Sequence, residues 1–182
     1  MKKNSIFAAS LLVLSTLTTV HQLKGAPPQK IPPTKPDKKN THAQLASTFF
    51  TGPIPRIKIE ISQDQRDRLQ KDERNYVEAS LTESTIAGPV VYQKISIKLK
   101  GSAGSFQHLD GKPGMTISFE KNKESSRFHG MQKIHLNNGA QDGTYINELI
   151  AGEMARKIGV PASRCTHAFV ELNGRDLGLY VV

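Results

Sequence analysis

From residue 56 onward the chain alternates apolar and polar positions in short runs, the period of strands rather than helices. Residues 56–61 (RIKIEI) put Ile57, Ile59 and Ile61 on one face, which predicts a half-buried strand. Ser62 follows with Gln65 three residues on, a capping-box pattern that predicts a short helix. Residues 76–81 and 90–99 read as the next two strands; in the second, Ile95, Ile97 and Leu99 share a face. Residues 115–119 and 133–136 give a fourth and a fifth. The period then changes. Ile146, Leu149, Ile150, Met154 and Ile158 recur at spacings of three and four, and Gly159 and Pro161 stop the pattern, which predicts the principal helix. Two last strands, residues 168–172 and 177–182, flank Asn173-Gly174, a hairpin signal that Arg175 and Asp176 extend toward a longer loop. The fold class is α+β: a mainly antiparallel sheet with one principal helix.

Ahead of this pattern the chain is different. Lys2 and Lys3 precede an apolar run, residues 6–20, too short for a comfortable membrane span, and residues 1–25 read as an export signal. No other transmembrane span is expected, and the protein is placed outside the cytoplasm, secreted or in the cell envelope. Residues 26–46 are rich in Pro and Lys and poor in large apolar side chains, so they read as a disordered spacer. The globular domain is residues 47–182, with its first ordered residues near Phe49. Because the sequence stops inside an apolar run, LGLYVV, it reads as a truncated, N-terminal portion of that domain.

Charge changes this picture little. The formal net charge is +9, but residues 1–44 hold seven Lys against one Asp, so a basic tail precedes a nearly balanced domain. No nucleic-acid motif accompanies it, and no nucleic-acid partner is expected. Cys165 is the single cysteine, which excludes an intrachain disulfide and reads as a buried, inert thiol. His108, His129, His135 and His167 show no metal-ligand spacing, and no serine-hydrolase elbow is present.

Two stretches carry candidate chemistry. In KLKGSAGSFQHLDGKPGM, residues 98–115, a strand breaks into a loop and then resumes. Gly101, Gly104 and Gly111 allow close backbone approach, Ser102 and Ser105 lie between them, and Lys100 and Lys112 supply charge at either end. The pattern fits a loop closing over phosphate; from spacing alone an ordinary hairpin connection fits it better. In residues 136–153, Asp142 or Thr144 caps the helix. At 100° per residue Glu153 lies at the edge of the apolar stripe and Glu148 almost opposite, so a buried acid paired with a lysine falls at Glu153.

Taken in order, KLKGSAGSF, GKPGMTISFEK, RFHGMQKIHLNNGAQD, RKIGVPASR and VELNGRDLGLYVV resemble the CotH family, the spore-coat H-like proteins. The resemblance runs from about residue 56 to the end, and its most specific parts are the GVPAxR turn and the NGxxxGxY hairpin. It implies the small nucleotide-binding lobe of an atypical protein-kinase-like fold, using ATP with Mg or Mn to phosphorylate Ser-rich surface proteins. On that resemblance residues 101–105 lie over the nucleotide phosphates and Lys112 contacts phosphate. The helix bearing Glu148 and Glu153 is then the small-lobe helix. Asn147 stands where family members often carry arginine, and the family's catalytic and metal-binding aspartates fall after the hairpin, beyond Val182. The alternative function is a non-catalytic surface or envelope-binding module; a third, binding of anionic envelope polymers, rests on tail charge alone.

Overall fold

The computed structural model describes residues 41–120 and 127–182. The export signal and most of the spacer fall outside these residues. Within them, seven strands form a single sheet in the order β5-β4-β3-β2-β1-β6-β7. β1 is Arg56–Glu60, β2 Val77–Thr85, β3 Gly88–Lys100 and β4 Gly114–Ser118. β5 is Lys133–Leu136, β6 His167–Leu172 and β7 Arg175–Val181. Neighbours pair antiparallel except β1 and β6, whose parallel register aligns Ile57 with Val170 and Ile59 with Leu172. The sheet curls until its outer strands meet: Asn137 and Val181 exchange backbone hydrogen bonds of 2.8 and 3.1 Å.

The curl gives the alternating pattern an inside. Ile57, Ile59, Leu81, Ile97, Leu99, Met115, Ile117, Leu136, Ala168 and Tyr180 are buried there. Each large aliphatic side chain removed from water contributes roughly 1.5–3 kcal/mol, so this inner face dominates stability. Tyr180 is fully buried, and its hydroxyl donates to the Pro113 carbonyl at 3.0 Å, which ties β7 to the start of β4.

Among the described residues three helices accompany the sheet: the short helix after Ser62 and the principal helix expected from sequence, and one more ahead of β1. α1 (His42–Thr51) begins inside the stretch expected to be spacer. Thr41 and Gln44 form a reciprocal capping box, and Phe49 is buried among Phe128, Phe50 and the His129 ring. The buried Phe49, Phe50 packed against the core and the cap outweigh the polar composition around them. α2 (Gln63–Lys71) starts at Ser62 as expected, but the Ser62 side chain makes no capping bond. Gln65 instead accepts from the Glu78 backbone at 3.0 Å, docking α2 on β2, while Leu69 fills the core. α3 (Asn147–Lys157) lies where the period placed it, yet its apolar stripe is not buried: Ile150 is 51% exposed, Met154 63% and Ile158 80%. The Asn173-Gly174 turn is the two-residue kind, both residues having positive φ and Leu172 pairing with Arg175. The extra length expected at Arg175 and Asp176 is taken up by a register shift at Val170/Glu171. Among the described residues no helix is long and apolar enough to cross a membrane.

Candidate functional site

β3 ends at Lys100, and the next residue bends the chain sharply. Gly101 has φ +128°, and a side chain there would lie 2.8 Å from the Phe106 backbone, so the turn tolerates only glycine. The loop between β3 and β4 closes on itself: Ser105 and Phe106 donate to the Ser102 carbonyl, and the Ser102 N–H donates to Ser105 Oγ. Three outside groups brace it. Arg74 donates to the Gly101 carbonyl at 2.9 Å and stacks over Phe106. Arg175 donates to the carbonyls of Leu109, Asp110 and Gly111. Asn138, buried at the end of β5, donates through one amide nitrogen to Ser105 at 3.0 Å and Lys112 at 2.9 Å. The loop is a rigid wall.

That wall borders a polar cavity of about 170 Å³ lined by Lys100, Gly101, Ser105, Asn137, Gly139 and Glu148, among others. The Lys100 ammonium donates to Asn137 Oδ1, and Asn137 Nδ2 donates to Glu148 Oε2 at 2.5 Å. One amide thus joins a lysine to a carboxylate across the cavity. Burial lowers the Lys100 pKa, and the Glu148 charge partly restores it. Asn137 is held by its backbone pairing to Val181, so the closure of the sheet fixes the relay.

The candidate residues therefore separate. Lys100, Gly101, Ser105 and Glu148 converge on the cavity; Ser102 and Gly104 belong to the exposed turn beside it. Lys112 is committed elsewhere. Its ammonium donates to the Tyr145 hydroxyl at 2.7 Å and the Leu179 carbonyl at 2.8 Å, beneath the Tyr145 and Tyr180 rings. Glu153 corrects the wheel argument: it is exposed and paired with Arg156 at 2.9 Å, not with a buried lysine. The reason is that α3 turns Gly152, Ala155 and Arg156 toward the 161–165 segment, so the apolar stripe marks the wrong face. Neither Asp142 nor Thr144 is the N-cap residue, which is Ile146 without a side-chain cap; Asp142 accepts from Thr144 and reaches the first N–H of α3, that of Asn147, at 2.9 Å. Asn137 and Asn138, the two residues that organise the site, carry no sequence signal beyond adjacency to a glycine.

The histidines have separate duties: His108 on Glu73, His129 on the buried Glu83, His135 on Thr116 and His167 on the Tyr145 carbonyl. Among the described residues no three His, Cys, Asp or Glu side chains converge as metal ligands. Cys165 is half-buried, and burial followed by the Glu148 charge raises its thiol pKa, with Arg156 opposing. It is therefore expected to alkylate more slowly than an exposed thiol at pH 8, and its rate keeps climbing with pH after an exposed thiol has levelled off. A stopped-flow alkylation series reads this directly; a rate equal to that of a free cysteine peptide contradicts it.

Residues 98–182, from the last turn of β3 to the end, match the family model described as CotH kinase protein. No curated protein matches the chain.

Proposed function

We propose, on the premise that residues 98–182 belong to the CotH kinase family, that the chain is the nucleotide-handling part of an exported phosphotransferase acting on Ser-rich surface proteins. The curled sheet with α3 corresponds on this reading to the small lobe of a kinase-like fold. The observation that carries it is the cavity, where a half-buried lysine amine faces a rigid glycine turn. A cavity of about 170 Å³ is well below the roughly 300–1,000 Å³ that encloses a drug-sized ligand. It has room for the phosphate end of a nucleotide and leaves the base outside. Lys100 supplies a charge-assisted contact, and Asn137 with Glu148 fixes the direction of its ammonium. ATP, when bound, supplies the phosphoryl group; Lys100 and the Gly101 turn hold its phosphate oxygens and orient them. Lys112 stiffens the same wall from behind through Tyr145 and β7.

The carboxylates on the wall do not fit a divalent ion. Asp142 is occupied by Thr144 and Asn147 and Glu148 Oε2 by Asn137, and among the described residues no third acid, His or Cys converges with them. The same observation favours the second reading, a non-catalytic surface module, because Asp142 is tied to the start of α3 and Glu148 to the amide that holds Lys100. Calorimetric titration with ATP, tripolyphosphate and adenosine tests the phosphate site. Both polyphosphates are expected to bind and compete while adenosine does not; no polyphosphate binding sinks the proposal. Label transfer from ATP to Ser-rich peptides, with Mg or Mn added, then separates the readings: binding without transfer favours the surface module.

A further inference from the structure

β3, β4 and β5 turn Ile97, Leu99, Met115, Ile117, Ile134 and Leu136 into the core. Their opposite face is basic. Register sets Lys98, Thr116 and His135 in one row and Ser96, Ser118 and Lys133 in the next. Lys100 and Asn137 continue the same face to the mouth of the cavity. Thr116 and Ser118 are buried between their neighbours, and Thr116 Oγ1 lies 3.1 Å from His135 Nδ1. Neither Lys98 nor Lys133 makes an ion pair with a described residue; Lys98 lies over the Tyr76 ring at 5.0 Å. The field they create reaches His135, whose pKa is lowered by burial and then by Lys100, Lys133 and Lys98. Glu78, opposite Ser96 on β2, marks the border of the strip.

We propose that this face is a docking strip for an extended, carboxylate-rich segment of the protein substrate. It rests on the phosphotransferase reading for its role, because the strip leads into the cavity and a segment held on it places the same chain beside Lys100. Charge complementarity identifies the occupant. Side chains two apart on a strand repeat at roughly 7 Å, and so do alternate side chains of an extended partner lying along β3. A carboxylate at that repeat meets Lys98 while Lys133 flanks the segment from β5, and the next position along the segment reaches the cavity mouth beside Lys100. Charge-assisted contacts of this kind set orientation and register. The strip offers no free aromatic face for a base, Tyr76 lying beneath Lys98, which disfavours single-stranded nucleic acid. The chain's own first 44 residues are net +6, the same sign as the strip, and do not match it in charge.

The test titrates the whole 182-residue chain with a labelled peptide of alternating Glu and Ser at about 50 mM salt, where screening is modest. Lys98→Glu/Lys133→Glu is expected to weaken binding by about tenfold, and Lys98→Gln/Lys133→Gln by less. The basic tail is common to all three proteins, so the difference reports the strip. ATP titrations of both variants are expected to match the unaltered chain. Equal peptide affinities in the three proteins overturn the proposal. So does the absence of saturable peptide binding, or displacement of the peptide by duplex DNA or phosphatidylglycerol vesicles at lower concentration. Lysine-dependent peptide binding without any ATP binding supports the strip and removes the phosphotransferase reading alone.

Discussion

Lys100→Ala is expected to weaken binding of ATP and tripolyphosphate by roughly tenfold to a hundredfold while the fold survives. A hydrogen bond from a charged donor contributes about 1.5–3 kcal/mol, and every 1.4 kcal/mol is a factor of ten in affinity. Lys100 stands at the end of β3 with its ammonium on the cavity wall, its charge weakened by burial and supported by Glu148. Removing it takes away the cavity's positive charge and leaves Asn137, still paired to Val181, to hold the closure. Lys112→Ala makes the contrast. That ammonium carries the Tyr145 hydroxyl and the Leu179 carbonyl, so its loss costs stability first, on the order of 1–3 kcal/mol, and affinity only through the loosened wall. Calorimetric titrations beside thermal melts distinguish the two. A Lys112→Ala protein that melts normally but fails to bind, beside a Lys100→Ala protein that binds fully, reverses the roles assigned to these lysines.

Much of the fold was legible because a strand declares its buried face by alternation. The runs from Ile57 to Ile61 and from Ile95 to Leu99 say which residues point inward whatever the partner strand is. The Asn-Gly turn is similarly local, set by two residues that tolerate positive φ. What periodicity does not contain is the identity of the opposing surface. The α3 stripe predicts the wrong packing face: the helix docks through Gly152, Ala155 and Arg156, which leaves Glu153 exposed on Arg156. α1 escapes the sequence reading because the spacer composition runs through its first turn, while Phe49, already at the edge of the expected domain, finds its partners Phe128 and His129 about eighty residues away. The site was half legible for the same reason. A glycine turn beside a lysine is visible in sequence; the pairing of Asn137 with Val181, which points Lys100 at the cavity, exists only after the sheet has curled.

Asn138 gives the sharpest structural test, because one buried amide fastens both ends of the loop. Its nitrogen donates to the Ser105 and Lys112 carbonyls, and its oxygen accepts from the Ala140 N–H at 3.2 Å. The residue is only 6% exposed, so water does not readily replace these bonds. Leaving buried polar groups unsatisfied costs about 1–3 kcal/mol each, and partial relaxation of the loop brings the total for Asn138→Ala to roughly 2–4 kcal/mol. In a domain of this size that lowers Tm by about 10 °C. Asn138→Asp discriminates packing from hydrogen bonding. The aspartate keeps the shape but donates nothing, and its charge faces the two carbonyl oxygens the amide had satisfied. It is therefore expected to be at least as destabilising as alanine near neutral pH, and to recover as acid protonates the carboxyl. Thermal melts at pH 7 and pH 5 read the stability. Limited proteolysis reads the loop, with cleavage between Ser102 and Gly111 expected in both variants before the rest of the sheet opens. An Asn138→Asp protein as stable as the unaltered chain, with its loop uncut, shows that Arg74 and Arg175 brace the wall without the amide.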